Sequence, residues 1–320
     1  MKTISKIIAA ALVTATCLVA CKKEKTSNNG DSYTSVQSFF SQTKVQTQSF
    51  TVNATNGGTI TGAKGTTVTF PPNAFITFNG TSVTGNVTVQ LKEVFSKKDM
   101  IYEGVFPVAK GGHLLNSAGE YFLAANQNGT PLQLKDGKFF EMRLPAQAAD
   151  PNMQFFILDG AGDSAQWVVP DTAAAVIDSQ WVVSPVNGFN FTTVPDSAYV
   201  INCDSLSWGN ADVFMYPTYV DCSFKVTGGT ISSANTKAYC VYDGKNTVWP
   251  CGDWFGGITN NTISDNHIAA IPIHFLLISV IDGQLYAGST AVTPTNGGMY
   301  NVTIAPITKA ELDALILSFN

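Results

Sequence analysis

The sequence predicts an all-β protein of two antiparallel sandwich-like domains, with one short C-terminal helix packed on the second. Two observations lead there. Short runs in which apolar and polar residues alternate recur along the chain, each closed by a tight-turn dipeptide or a proline. Only 13% of the 320 residues are charged while 45% are hydrophobic, a mixture that suits half-buried strands and turns better than solvated helices. Past an apolar leader, a helical period returns only near the C-terminus.

Met1 to Lys6 carries Lys2 and Lys6, and Ile7 to Val19 is a mostly apolar run leading into Leu18-Val19-Ala20-Cys21. A charged start, an apolar middle and a small residue before a processing point make an export signal, and the run is too short for a convincing spanning helix. Its last four residues resemble the lipobox of bacterial lipoproteins. The resemblance implies a signal peptide over 1–20, cleavage before Cys21, and acyl chains, palmitate among them, on the Cys21 sulfur and new amino group. Each buried methylene contributes about 0.8 kcal/mol and one chain binds only marginally, so several chains are needed to hold a membrane. Position 22 is lysine rather than the aspartate associated with inner-membrane retention, which points to an outer-membrane lipoprotein, periplasmic or surface-exposed.

Residues 21–49 are polar, lack a sustained period and read as a flexible stalk, with Phe39-Phe40 as a docking contact. A β-sandwich domain is expected over 50–145. Val68 and Phe70 alternate with Thr67 and Thr69, and Pro71-Pro72 must end that strand because neither residue can donate to a ladder. Val87, Val89 and Leu91 form one buried face, and Phe140, Met142 and Leu144 another. Asn79-Gly80, Asn128-Gly129 and Asp136-Gly137 supply the reversals. Gly57 to Thr61, Gly65 to Phe75 and Val83 to Val89 together resemble the β-sandwich domain shared by ankyrins and netrin receptors, in which a Gly-Gly-x-hydrophobic strand leads to a Pro-Pro-x-Ala-hydrophobic turn. The variant is most similar to that of Bacteroidota envelope lipoproteins, which continue into a segment like Ser117 to Leu123. Leu114 to Leu134 is then a strand region turning at Asn128-Gly129.

Residues 146–195 read as a connecting arm. Within it, Gln166-Trp167-Val168-Val169-Pro170 is echoed by Gln180-Trp181-Val182-Val183-Ser184-Pro185, too few copies for a solenoid. Asp159-Gly160-Ala161-Gly162-Asp163 lacks the further oxygen ligands of a calcium loop and reads as a turn. A second β domain is expected over 196–320. Tyr199 to Asp204 with Trp208 resembles a Trp-Ile-Asn-Cys-Asp segment of the same lipoproteins, although here the tryptophan follows the cysteine. Ile273 to Ile281 is apolar on both faces apart from His274 and Ser279, so it should be a central strand covered on both sides. Asp282-Gly283 turns it into Gln284 to Ala287. Thr308 to Glu311 is a capping-box signal, and Leu312, Leu315, Ile316 and Phe319 follow at helical spacing. A helix this short is marginal alone and must lie on the second sheet. No other helix is expected after the leader.

Cleavage removes Cys17 and lipid takes Cys21, leaving Cys203, Cys222, Cys240 and Cys251. An even remainder in an exported chain argues for two disulfides. Of three connectivities, Cys203 with Cys222 and Cys240 with Cys251 is favoured, because the second pair faces itself across a hairpin centred on Lys245-Asn246. A bridge of that span contributes roughly 3 kcal/mol. The rival four-cysteine zinc site lacks the usual C-x-x-C spacing, and no metal or other cofactor is expected.

A net charge of −5, with one basic cluster at Lys22, Lys23 and Lys25 beside the anchor, argues against nucleic acid as a partner. His274, in an apolar strand, reads as a satisfied core residue, and no H-E-x-x-H, G-x-S-x-G or P-loop pattern occurs. The expectation is a non-enzymatic protein, held to a membrane through its lipid anchor, that contacts another envelope protein. Two alternatives stay open: a glycan-binding surface lipoprotein, and a hydrolase whose carboxylates leave no local signature. Trp249, Trp254 and Phe255 are the recognition candidates, since their rings could stack on sugars or anchor a protein. The competing reading has them covering a disulfide. Asp163-Ser164, Asp171-Thr172, Asp196-Ser197 and Asp204-Ser205 resemble the O-glycosylation acceptors of Bacteroidota, which makes Ser164, Thr172, Ser197 and Ser205 candidates, although Asp-Ser pairs also start turns.

Overall fold

In the computed structural model, which describes residues 32–146, 150, 152–159, 166–169, 198–252 and 256–319, the alternating segments become strands of four sheets, and the fold is all-β with three short helices. Nine strands make the largest sheet. Its main path runs β1 (Gln48–Asn53), β5 (Asn86–Val94), β7 (His113–Gln127), β13 (Trp208–Phe214), β10 (Gln154–Asp159), β11 (Gln166–Val168) and β6 (Val108–Ala109). Off that path, β8 (Thr130–Leu134) joins β7 and carries β4 (Phe75–Thr77). A four-stranded sheet, in the order β12 (Ala198–Cys203), β9 (Phe140–Pro145), β3 (Thr67–Phe70) and β2 (Gly58–Thr61), shares its core. Val68, Phe70, Met142, Leu144 and Ile201 there pack with Val87, Val89, Leu91, Tyr121 and Leu123. The period-two faces read from the sequence are the faces that meet.

A second sandwich follows. One sheet runs β17 (Gly256–Thr259), β18 (Thr262–Ala269), β14 (Tyr219–Thr227) and β21 (Gly298–Thr303). The other runs β16 (Val248–Cys251), β15 (Thr236–Tyr242), β19 (Ile273–Ile281), β20 (Gln284–Val292) and β22 (Ala305–Pro306). Phe224, Ile263 and Val302 meet Trp249, Phe275 and Leu277 between them, and the rings of Phe224 and Phe275 stack with centroids 3.5 Å apart. The five-stranded sheet is apolar on its other face too. Tyr239, Val241, Leu276, Ile278 and Leu285 lie there under α1 (Val36–Thr43), α2 (Lys97–Glu103) and α3 (Lys309–Leu317). This is the double cover that the unbroken apolar run of β19 demands.

Turn chemistry fixes the hairpins. Asn128 and Gly129 have φ of 51° and 83°, and Asp282 and Gly283 have 50° and 79°, so both pairs adopt the left-handed geometry that two-residue hairpins need. Gly57 admits no side chain, because a Cβ there would stand 2.3 Å from the Phe70 carbonyl oxygen. In α3 the Thr308 hydroxyl accepts from Glu311 N–H at 3.2 Å, and the Glu311 carboxylate accepts from Thr308 N–H at 2.8 Å, the expected capping box.

Four readings of the sequence give way. The expected stalk, 21–49, is folded where it is described: Ser35 accepts from Ser38 N–H to cap α1, and Phe39 is fully buried, edge-on to Tyr33 at 4.9 Å and to Tyr102 at 6.0 Å. Behind α1, the Glu103 carboxylate accepts from Val45 N–H and pairs with Lys92 at 2.7 Å. A second unexpected helix, α2, is closed by its own capping box, Ser96 with Asp99, and stopped at Gly104 with φ 73°. The expected arm, 146–195, contributes β10 and β11 to the large sheet, where Trp167 is wholly buried. Last, β12 and β13 fall within the expected second domain, 196–320, yet pair with β9, β7 and β10 of the first sandwich. Alternation reports which face of a strand is buried and says nothing of its neighbour.

The described residues belong to one compact unit, and none of their helices is long and apolar enough to cross a membrane. Phe39→Ala should destabilise the full chain by about 3–5 kcal/mol in urea unfolding, the usual loss for a buried aromatic. An unchanged midpoint would mean that α1 is a loose tail.

Candidate functional site

Among the described residues, a shallow cleft of about 220 Å³ lies on the four-stranded sheet of the second sandwich. Four strands line it, β14, β18, β21 and the edge strand β17. β14 pairs antiparallel with β18, and its register shifts between Val220 and Cys222, while β21 lies parallel on its other side. Ser223 and Ser264 face outward and share a hydrogen bond of 2.8 Å. Asp221 and Asn266 add exposed polar groups, and Met299, 67% exposed, stands among the lining residues. Gly256 closes one wall, because a Cβ at that position would meet the Ser264 carbonyl oxygen at 1.7 Å. The cleft is therefore mixed, with a few polar groups and one exposed carboxylate set in a largely apolar lining.

Asp265 ties this wall to the edge of the other sheet. Its side chain is buried opposite Cys222, yet every donor it needs is present. Oδ2 accepts from Trp249 Nε1–H and Gly252 N–H, each at 3.1 Å, and Oδ1 accepts from His267 N–H at 2.8 Å. A buried carboxylate with three donors is stable, whereas one stripped of donors costs several kcal/mol. His267 stacks on Tyr219 at 3.8 Å between centroids and contacts the Gly112 carbonyl oxygen at 3.0 Å. Sequence reading missed Asp265. The one available signal was an Asp-x-His pair within a strand, Asp265 and His267.

The expected site residues scatter. Trp249 is not a recognition surface: it is wholly buried in the second core, with its indole N–H committed to Asp265. Trp254 and Phe255 lie outside the described residues, as do Cys21, Ser164, Thr172 and Ser197. Ser205 is half-buried, its hydroxyl 3.4 Å from that of Ser207. His274 is half-buried rather than sealed, 3.4 Å from the Asp243 carboxylate and stacked on Phe319. Cys203, Cys222, Cys240 and Cys251 are all buried, and neither expected disulfide is formed: all four are free thiols in this structure. Among the described residues, no group of three or more His, Cys, Asp or Glu side chains is placed to hold a metal ion.

A second polar cluster lies inside. Glu120 and Asn210 are opposite one another on β7 and β13, beside Ser117 opposite Asp212, and Glu120, Asn210 and Asp212 are 0% exposed. The Asn210 amide donates to Asp212 at 2.5 Å and to Glu120 at 3.5 Å, while Glu120 Oε2 and Asp212 Oδ1 have no protein partner. Burial raises the Glu120 carboxyl well above its usual range, and the Asp212, Asp99 and Glu103 carboxylates push it further. Burial also raises Asp212, against the hydrogen bonds from Ser117 and Asn210. Asp204, half-buried after β12, is a third raised acid, its carboxyl pushed up to about 7 by burial, and none of the three lines the cleft.

No family model matches the chain, and no curated protein matches it. Among solved structures, the chain shows a likeness to the crystal structure of a non-hemolytic pneumolysin from Streptococcus pneumoniae strain ST306, at 9% identity and a TM-score of 0.16, over 76% of this chain and 50% of that one. The chain thus spans about half the length of that protein, and a likeness of this size carries no argument about fold or function.

Two acids whose folded pKa lies above the unfolded value stabilise the protein most below the ordinary carboxylate range, and that stability is lost as pH rises toward the folded value. Glu120→Gln should therefore raise stability by about 1–3 kcal/mol at pH 8 and by clearly less at pH 5, read from urea unfolding at the two values. An equal effect at both would show that the pair does not titrate on unfolding.

Proposed function

We propose that the chain is a non-enzymatic lipoprotein of the outer membrane, anchored by acyl chains on Cys21, whose folded unit contacts another envelope protein through this cleft. The observation that carries the reading is the Leu18-Val19-Ala20-Cys21 run at the end of the apolar leader, which resembles a lipobox. Ten residues, 22–31, separate Cys21 from Ser32, where the described fold begins. At no more than about 3.6 Å per residue they reach roughly 40 Å, so a lipid on Cys21 keeps the body close to the membrane surface.

The chemistry of the cleft supports binding over hydrolysis. It offers hydroxyls, a carboxamide and one exposed carboxylate, while the acids raised by burial, Glu120, Asp212 and Asp204, all lie outside it. A protein partner suits it better than a sugar. Met299 presents a flexible, polarizable apolar group of the kind that adapts to protein surfaces. With Trp249 committed to the core, the aromatic platform that the glycan reading needs loses one of its rings.

A photo-crosslinking residue in place of Met299 should trap a discrete envelope protein in cells, and the same probe at Phe78, exposed on a hairpin of the first sandwich, should not. Cys21→Ser should move the protein into the soluble fraction and abolish the adduct. A soluble wild-type protein overturns the anchor. Polysaccharide retention without any protein adduct replaces the partner with a glycan.

A further inference from the structure

The four cysteines occupy two separate cores. Cys203 lies in the first, beside Met142 and Ile201, with its sulfur 3.3 Å from Ser205 N. Cys222, Cys240 and Cys251 lie in the second. Within that trio the strands decide which sulfurs can bond. Cys240 sits on β15 opposite Trp249, and Cys251 sits on the adjacent β16 opposite Ala238. Both side chains turn inward, and the two Sγ atoms are 3.0 Å apart. Cys222 is on β14, in the facing sheet of the sandwich. Its sulfur makes no contact with that of Cys240 or Cys251, whereas those two already meet, so a bridge from Cys222 would have to break that approach.

From this partition we propose that the oxidised protein carries one disulfide, Cys240–Cys251, and keeps both Cys203 and Cys222 as thiols. The expected Cys203–Cys222 bridge is thereby replaced, because its two ends belong to different cores. The reactant is a protein disulfide oxidant. One thiolate of the pair attacks the oxidant's disulfide, forming a mixed disulfide and expelling one oxidant thiolate. The second thiolate then attacks the sulfur just modified and releases the oxidant as a dithiol, so two electrons and two protons leave the pair. Burial raises the Cys240 and Cys251 thiols, so the thiolates are scarce once the core has closed and exchange belongs to the unfolded hairpin. Cys222 lines the cleft, yet burial pushes its thiol up to about 12, with Cys240, Asp265 and Asp221 adding to the effect, so it stays protonated and unreactive. The bridge fastens β16, the edge strand that bears Trp249 and leads to Gly252, the two groups that hold Asp265 Oδ2 behind the cleft.

The test uses the full chain exported into an oxidising compartment. Thiols are alkylated before and after denaturation, and the unreduced digest is mapped by mass spectrometry. The expected result is one linked pair, Cys240 with Cys251, with Cys203 and Cys222 labelled only after denaturation. A Cys203–Cys222 bridge, any bridge that includes Cys222, or four labelled thiols overturns the proposal. As a second measurement, a reductant should lower the melting temperature of the native sequence by roughly 5–10 °C and leave a Cys240→Ala, Cys251→Ala variant unmoved. A reductant shift of equal size in both counts against it.

Discussion

A sheet that is apolar on both faces must be covered twice, and the five-stranded sheet around β19 imposes that requirement on the rest of the chain. Its inner face is met by the sheet of β14 and β18. Its outer face draws α1 from before the first strand, α2 from between β5 and β6, and α3 from the C-terminal end. Three segments far apart in sequence therefore converge on one surface. Polar contacts then fix their order: Tyr102 on α2 donates to Asp313 on α3 at 2.6 Å, and Lys97 donates to the Phe319 carbonyl at 2.8 Å. The hairpin of β15 and β16 reaches the other way. Asn246 at its turn donates to the Phe95 and Ser117 carbonyls, each at 3.0 Å, and Thr247 donates to the Leu115 carbonyl at 2.7 Å. Backbone groups of β7 are thus satisfied by a turn from the second sandwich.

Buried carboxylates show how the same fold treats charge in two ways. Glu93 accepts from Gln48, Lys64 and Thr66, and so holds the loop that precedes β3. Asp265 accepts from three donors and holds the cleft wall. Glu120 and Asp212 share one carboxamide between them and are left with an unpartnered oxygen each. The first two are clamps. The last two are a cost that the surrounding apolar core must offset, and their inaccessibility separates them from any chemistry at the surface.

Much of the fold was legible in the sequence, because the pattern that encodes it is local. The faces of β3, β5 and β9, the turns at Asn128 and Asp282, the double-sided β19 and the capping box of α3 are set by residues within a few positions of one another. What was not legible depends on partners far along the chain. The pairing of β12 with β9 and of β13 with β7 joins segments that alternation alone cannot match. α1 is polar along most of its length, and its buried residues, Val36 and Phe39, become meaningful only once Tyr102 and the sheet lie beside them. α2 did carry a local signal, Ser96 to Asp99, hidden behind the strand that precedes it. The cleft was illegible for a related reason: serines and glycines on the outer face of a strand look like ordinary solvated residues until four strands place them together. Trp249 misled in the opposite sense, since an aromatic near a cysteine looks the same in sequence whether its ring faces water or the core.

The central claim is that the chain from Ser32 onward is one cooperative body built around a shared sheet, rather than two modules on a stalk. Native-state hydrogen exchange of the full chain, with protection followed against denaturant, tests it most directly. Amides of α1, β5 and β19 should open with a common free energy that converges on global unfolding. Exchange of α1 or of the first sandwich at a distinctly lower free energy, while β19 stays protected, would contradict it.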